Sequence, residues 1–121
     1  MTAEKPTPRA EVVPGGITVV EATDYINNEA GQLLADAAKA HFGRERPVLL
    51  FDLSATRIIN SIGVSILLEL LEDILDRKGT MAFCNVSPTI ARTFDIMGVA
   101  QYARIFPDRA TALEALGGHD G

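Results

Sequence analysis

Residues 47–63, PVLLFDLSATRIINSIG, constrain the fold more than any other segment of the chain. Residues 48–53 are apolar except for Asp52, which is typical of a strand that other elements cover on both faces. A short polar turn then leads into a long run whose apolar residues recur at helical spacing. A buried strand that feeds a helix in this way predicts a parallel sheet with helical crossovers.

The rest of the chain alternates between strand and helix patterns. Residues 11–13 and 17–22 flank a Pro-Gly-Gly turn, which predicts an antiparallel hairpin, and further strands are predicted at 80–86 and 103–106. Helices are predicted after a cap at Asn27 or Asn28 as far as Gly43, over 62–77, after Ser87 and Pro88 as far as Gly98, and after Asp108 as far as Gly117. We therefore expect one α/β domain with a mixed, largely parallel sheet of about four to five strands and about four helices.

The 121 residues of the chain suit a single domain, which we place at residues 11–116. Residues 1–10 are polar and contain prolines, so a disordered leader is expected there, and residues 117–121 are expected to be a flexible tail. The first residues lack an apolar signal region, and no run approaches the ~18 apolar residues of a membrane span. Cys84 is the only cysteine and lies in an apolar run, which indicates core packing and a reducing cytoplasm.

The charge balance limits the classes of partner. The chain has 11 basic and 16 acidic residues, which gives a net charge of -5. This excess of acid argues against nucleic acid or an anionic membrane surface as the main partner, and against direct membrane insertion. A basic protein partner is favoured instead.

Signals for catalysis are absent from the sequence. Neither His41 nor His119 has a second His or Cys at metal-ligand spacing. Ser61 lacks the glycine pattern of a nucleophile elbow, and no Walker or dinucleotide glycine motif occurs. We therefore predict no catalytic residues, no metal site, no cofactor and no enzyme activity.

Ser61 lies at the predicted start of the second helix, with Asn60 before it and Gly63 after it. Unpaired backbone N–H groups and the positive end of the helix dipole favour a phosphate at such a position. Ser and Asn are both preferred helix caps, so a purely structural role for Ser61 is the alternative. The two roles are compatible, because one hydroxyl can cap the free helix and later accept a phosphoryl group.

One face of the second helix carries the features of a partner surface. Its polar residues fall on one arc: Ser65, Glu69, Glu72, Asp73 and Asp76. Ile62 lies inside this arc and Ile66 lies at its edge, so we expect a small apolar patch rimmed by acids. We interpret Ile62, Ser65, Ile66, Glu69 and Asp73 as partner-binding residues. The alternatives are a solvated helix face and an incidental exposed apolar residue.

From about residue 17 to residue 116, in the stretch that includes VLLFDLSATRIINSIGVSILLELLEDILDRKGTMAFCNV, the chain resembles a STAS domain. STAS domains occur in anti-sigma factor antagonists and in the cytoplasmic tails of sulfate transporters. In the antagonists this loop typically reads Asp-Ser-Ser/Thr-Gly, and the serine after the Asp is phosphorylated by an anti-sigma kinase. The corresponding residues are Asn60, Ser61, Ile62 and Gly63, so the serine and glycine match, whereas the acid is an amide and the second hydroxyl is isoleucine.

The resemblance implies an anti-sigma factor antagonist-like partner-switching protein of the bacterial cytoplasm. Such a protein binds a serine-kinase anti-sigma factor and is released by phosphorylation, here at Ser61, and a serine phosphatase resets it. Asn60 in place of the acid is expected to slow phosphorylation without abolishing it, because the catalytic base and metal sites belong to the kinase. Two alternatives stay open: a STAS subunit of a lipid-transporting ABC system and a scaffold-type STAS protein. Homodimer formation also stays open.

The loops that precede the first and third helices, at residues 24–28 and 87–89, each follow a predicted strand. Because loops at the carboxyl ends of parallel strands meet at one edge of a sheet, we expect both to lie at the same end as Ser61. Arg57 in the loop before Ser61 is expected either to pair with a phosphate or to face solvent.

Overall fold

Five strands form one mixed sheet in the computed structural model, which describes residues 8–41 and 46–117. The strands of the described residues are β1 (Arg9–Val13), β2 (Ile17–Glu21), β3 (Tyr25–Ile26), β4 (Val48–Asp52), β5 (Ile58–Ile59), β6 (Thr80–Cys84) and β7 (Arg104–Phe106). The order in the main sheet is β1-β2-β4-β6-β7, and β3 pairs with β5 separately. Only the β1–β2 hairpin is antiparallel among the described pairs. The predicted mixed, largely parallel sheet is confirmed.

Four α-helices connect these strands in the described part of the chain: α1 (Asn28–Lys39), α2 (Ser61–Asp76), α3 (Pro88–Ile96) and α4 (Arg109–Gly117). A short 3-10 helix, Val99–Gln101, follows α3. The side chains of Asn27, Ser87 and Asp108 cap α1, α3 and α4 by accepting a hydrogen bond from the amide three residues later. These caps agree with the sequence signals that predicted the helix starts.

Helices α1, α2 and α3 cover one face of the sheet, and α4 covers the other. On the first face, Phe51 of β4 stacks on Phe83 of β6 at 5.6 Å between ring centroids, and Phe83 contacts Phe94 of α3 at 4.7 Å. On the second face, Cys84 and Ala112 belong to a smaller buried cluster, so Cys84 packs in the core as predicted. Burial is the main cause that raises the pKa of the Cys84 thiol to about 12, which keeps it protonated at neutral pH.

The element ends differ from the predicted bounds at several points. β1 begins at Arg9, two residues before the predicted start of the domain, because it pairs along its whole length with β2 as far as Glu21. Helix α1 ends at Lys39 with Ala40 as its C-terminal cap, while the predicted stop at Gly43 lies outside the described residues. Gly117 belongs to α4, and residues 1–7 and 118–121 of the predicted leader and tail also lie outside the described part.

The parallel strands place three loops at one edge of the sheet, as expected from the sequence. The loops that follow β2, β4 and β6 all leave from the carboxyl ends of these strands. The first two loops are joined by the β3–β5 ladder and by a 2.7 Å hydrogen bond from the Thr56 hydroxyl to the Thr23 carbonyl oxygen. This second ladder fixes the chain just before α2 begins.

Candidate functional site

Asn60 is the N-terminal cap of helix α2. Its backbone is extended, and its side-chain oxygen accepts a 2.8 Å hydrogen bond from the Gly63 amide. The Asn60 side-chain nitrogen donates to the Tyr25 hydroxyl at 3.3 Å, and the Asn60 amide donates to the Ile26 carbonyl oxygen at 3.1 Å. The capping role that the sequence allowed for either residue therefore belongs to Asn60 and not to Ser61.

Ser61 is the first helical residue of α2 and is exposed. Its hydroxyl forms no hydrogen bond with any residue in the ranges 8–41 and 46–117, whereas its backbone carbonyl accepts one from the Ser65 hydroxyl at 3.0 Å. The amides of the first helical turn have no carbonyl partner within the helix, as at every helix start. The Ser61 hydroxyl is therefore accessible at a position that favours negative charge.

Gly63 lets the first turn of α2 approach β3 closely. A Cβ atom at this position would lie 2.4 Å from the Ile26 carbonyl oxygen, which is shorter than any real contact of a Cβ atom. Only glycine fits unless the two elements move apart. Gly63 thus fixes the distance between α2 and the β3–β5 ladder, and with it the position of Ser61.

The side chain of Arg57 forms an ion pair with Asp24 in the loop after β2. Its guanidinium donates to both carboxylate oxygens of Asp24, at 2.7 and 2.9 Å, and both side chains are exposed. The hydrogen bond from Arg57 is the main cause that holds the pKa of Asp24 below its usual range; burial opposes it, and the charge of Arg57 adds to the lowering. The Arg57 amide also donates to the Asp24 carbonyl oxygen at 2.8 Å. The pair joins the loop before Ser61 to the loop after β2.

The predicted partner-binding face of α2 is exposed in most of its positions. Ile62 is 54% exposed, and Ser65 and Glu69 are exposed as well. The carboxylate of Asp73 accepts a 3.1 Å hydrogen bond from Arg77, so part of its charge is matched within α2.

The prediction that Ile66 belongs to the exposed patch is wrong. Ile66 is only 7% exposed, because α1 covers this flank of α2 at Gly31, where a Cβ atom would lie 3.0 Å from the Ile66 Cδ1 atom. Tyr25 and Ile58, which pair across the β3–β5 ladder, are the exposed apolar residues that sequence reasoning missed. A two-residue strand gives too short a pattern to be predicted, although the adjacent Ile58 and Ile59 are a weak signal of one.

Asp52 lies at the centre of a hydrogen-bond network that the sequence pattern did not reveal. One of its carboxylate oxygens accepts from the Ser54 amide and the Asn85 side chain, both at 3.0 Å. The other accepts from Arg109 at 2.9 and 3.0 Å, and Arg109 also donates to Glu21 at 2.9 Å. Burial alone would raise the pKa of Asp52, but these hydrogen bonds outweigh it and hold the pKa below its usual range.

The Asp52 network connects three elements to the end of the central strand. Arg109 begins α4, Asn85 lies in the loop after β6 in a left-handed conformation with φ of 57°, and Ser54 opens the loop that leads to Ser61. The signal in the sequence is the single acid in the apolar run of residues 48–53. A buried carboxylate at this place needs a cationic partner, and Arg109 supplies it.

The sequence matches the STAS domain family over residues 8–112, and the chain belongs to that family. An anti-sigma factor antagonist from Mycobacterium paratuberculosis is 25% identical, with a TM-score of 0.76, and the match covers 91% of this chain and 92% of that chain. The Bacillus cell fate determinant SpoIIAA in its phosphorylated form is 14% identical, with a TM-score of 0.70, and the match covers 91% and 99%. The murine anion transporter Slc26a9 is 15% identical, with a TM-score of 0.74, and the match covers 86% of this chain and 18% of the transporter.

These matches confirm the resemblance to STAS domains and the single α/β domain. The matched structures include an anti-sigma factor antagonist and an anion transporter, so proteins of both classes share the fold. In the part of the chain that the structure describes, no helix is long and apolar enough to cross a membrane. Within the same residues, no group of three or more His, Cys, Asp or Glu side chains could hold a metal ion.

Replacing Asp52 tests whether its network stabilises this end of the sheet. Asp52→Asn should lower the free energy of unfolding by about 2 to 5 kcal/mol at pH 7, because the amide cannot replace the charged hydrogen bonds to Arg109. The folded-state pKa is depressed, so this stabilisation is present above the unfolded pKa of about 3.9 and is lost as pH falls through the folded pKa. Urea denaturation should show a smaller difference at about pH 3 than at pH 7.

The exposed acid Asp36 on α1 gives the matched control. Asp36→Asn should change the free energy of unfolding by less than about 0.5 kcal/mol at either pH. The stabilising role of the charged network would be contradicted if wild type and Asp52→Asn had nearly the same free energy of unfolding at pH 7. It would also be contradicted if the difference between them stayed constant down to pH 3.

Proposed function

We propose that the protein is an anti-sigma factor antagonist-like partner switch. With Ser61 unmodified it binds a serine-kinase anti-sigma factor, and phosphorylation of Ser61 releases it. The observation that carries the proposal is the cap: because Asn60 holds the Gly63 amide, the neighbouring Ser61 hydroxyl is exposed and free of hydrogen bonds to described residues. The Ser61 hydroxyl can therefore accept a phosphoryl group without breaking a hydrogen bond to any described residue.

A phosphate on Ser61 is compatible with the folded domain. It adds a charge of about -1.5 to -2 at the N-terminus of α2, where the helix dipole and the free amides favour an anion. The first turn of α2 contains no acidic residue that would repel it. The modified protein should therefore stay folded, and the effect of the phosphate should fall on partner binding.

The surface around Ser61 explains how a phosphate would release a partner. Ile62 is exposed directly after Ser61, and Tyr25 and Ile58 expose apolar area on the adjoining β3–β5 ladder. Exposed apolar groups next to polar ones are typical of protein contact surfaces. A phosphate that must be desolvated in such a contact costs several kcal/mol, which is about a thousandfold in affinity. Ser65 and Glu69 extend the surface along α2, and the carboxylate of Glu69 favours a basic partner.

Asn60 changes the rate expected for the switch but not its geometry. The amide caps α2 and also donates to Tyr25, which an acid in the family pattern could not do. The negative charge of the family's acid is absent, and a kinase that uses this charge should act more slowly on the chain. A Bacillus protein of the same fold is known in a phosphorylated form, which supports the chemistry at this fold.

In this proposal the protein has no enzyme activity and needs no cofactor. It works in the bacterial cytoplasm between two protein partners, a serine kinase that adds the phosphate and a serine phosphatase that removes it. A second candidate is a transporter-associated role, which the match to an anion transporter favours. A lipid-transporting ABC subunit and a scaffold protein belong to this alternative group, since both would use the domain to hold a larger assembly.

Phosphorylation of the purified protein tests the proposal. We expect a serine-kinase anti-sigma factor from the same genome, incubated with the protein and ATP, to place one phosphate on Ser61, as mapped by mass spectrometry. Ser61→Ala should abolish the modification and bind the kinase constitutively, and Asn60→Asp should speed the reaction by restoring the family's acid. Thr111→Ala, which removes an exposed hydroxyl on α4 at the other face of the sheet, should leave the rate unchanged. Phosphate on another residue, or none with an active kinase, would favour the transporter or scaffold alternative.

The contact surface is tested separately through Ile62. In its unphosphorylated form, the Ile62→Asp variant should bind the kinase at least about tenfold more weakly than the wild type, because the substitution places a charge in the contact. Calorimetry measures this affinity. Its free energy of unfolding should change by less than about 0.5 kcal/mol, since the side chain is exposed. Ile96→Asp, an exposed isoleucine on α3, is the matched control and should retain wild-type affinity. Unchanged affinity of Ile62→Asp with a lowered melting temperature would contradict the assignment.

A further inference from the structure

An apolar groove runs between the second half of α2 and the segment formed by α3 and the following 3-10 helix. Its volume is about 350 Å³. The lining includes Leu68 and Leu75 from α2 on one wall, and Met97, Gln101 and Tyr102 on the other. Leu75 is 42% exposed and Tyr102 is 64% exposed, so two large side chains at the rim present apolar area to solvent. Exposed apolar area with a polar rim is characteristic of an interaction site.

The groove is centred on a different part of α2 from the surface around Ser61, and Glu69 lies between the two. The α2 residues that line the groove run from Leu68 to Leu75, seven to fourteen residues after Ser61 on the same helix, which corresponds to about 10 to 21 Å at 1.5 Å per residue. The groove also lies on the α3 flank of α2, whereas α1 covers the opposite flank at Ile66. A partner in the groove would therefore leave Ser61 and Ile62 uncovered.

The charges along the groove specify one kind of occupant. Glu72 is the charged residue among those that line it, and Glu69 and Asp76 lie one turn before and after Glu72 on α2. None of these three carboxylates forms an ion pair with a residue in the described ranges. Arg77, the nearest base along the helix, donates to Asp73. The rim of the groove on α2 is therefore acidic.

We propose that this groove is a second docking surface, which binds a cationic amphipathic helix of another protein. Two helical walls with an apolar floor accept apolar residues spaced at i, i+3 or i+4, and i+7 of an incoming helix. Lys or Arg residues on the flank of that helix would pair with Glu72 and its acidic neighbours. A second copy of this chain is a poorer occupant, because it would bring the same acidic rim into the contact and has the same net charge of -5.

The proposal goes beyond the switch at Ser61, since a partner held in the groove does not depend on the phosphate. The protein would then have two contact surfaces, one at the start of α2 and one along its second half. One would respond to phosphorylation, and the other would hold a partner in both states. Such an arrangement keeps the switch attached to an assembly while its kinase partner exchanges.

A synthetic amphipathic helix tests the groove without knowledge of the natural partner. The probe is a peptide of about 18 residues with Leu on one face and Lys on the other, titrated into the ¹⁵N-labelled protein and followed by NMR. We expect chemical-shift changes at Leu68, Leu75, Gln101 and Tyr102, and none at Ser61 and Ile62. A matched peptide with Glu in place of Lys should bind at least about tenfold more weakly, because it meets the acidic rim with like charge.

Variants separate specific docking from general attraction between opposite charges. Glu72→Lys removes a charged contact and Tyr102→Ala removes an apolar one, so each should weaken binding of the basic peptide at least about fivefold. Glu114→Lys, the same charge reversal at an exposed site on α4, and Ile96→Ala, an exposed apolar residue that does not line the groove, should leave the affinity within about twofold.

Three outcomes would overturn the proposal. Equal weakening by Glu72→Lys and Glu114→Lys would mean non-specific attraction to an acidic protein. Shifts centred on Ser61 and Ile62 would mean that the peptide occupies the switch surface instead. Sedimentation that shows a dimer of the unliganded protein, dissociated by Tyr102→Ala, would mean that a second copy covers the groove.

Discussion

The hydrogen bond from the Gly63 amide to the Asn60 side chain fixes the point at which α2 begins, and the site depends on that point. Gly63 is held against the Ile26 carbonyl oxygen so closely that no other residue fits, and Asn60 bonds to the same carbonyl through its own amide. The Asn60 cap and the close approach of Gly63 to Ile26 together hold the start of α2 against the β3–β5 ladder. As a consequence, the backbone of Ser61, the first residue of the helix, has a fixed position. Its hydroxyl nevertheless forms no hydrogen bond with any described residue.

The Asp52 network performs a similar positioning role at the base of the same loop. It brings the end of β4, the loop after β6 and the start of α4 together around one buried carboxylate. Removing the charge would leave the Arg109 guanidinium without its best partner in a partly buried place. The chain from Ser54 to Asn60 is therefore anchored at both ends, by Asp52 at one end and by the β3–β5 ladder and the Asn60 cap at the other. A surface loop that is held in this way presents a constant shape to a partner, which lowers the ordering cost of binding.

The features that the sequence predicted are those with a local signal. The strand at Val48–Asp52 follows from its apolar run, and the caps at Asn27, Ser87 and Asp108 follow from residue type and spacing, because each bond spans three residues. The failures required tertiary knowledge. Ile66 lies at the edge of the polar arc, and only the position of α1 over it decides that it is buried. Asp52 and Arg109 are 57 residues apart, so nothing in the local pattern connects them.

Hydrogen exchange at the Gly63 amide tests most directly the claim that Asn60, and not Ser61, caps α2. We predict that Asn60→Ala raises the exchange rate of this amide by between about twofold and thirtyfold, which corresponds to a cap worth about 0.5 to 2 kcal/mol. Ser61→Ala should leave the rate within about twofold of wild type, since the hydroxyl makes no bond to the helix. The reverse pattern, with protection lost in Ser61→Ala and kept in Asn60→Ala, would contradict the account, because the Ser61 hydroxyl and not the Asn60 side chain would then cap α2.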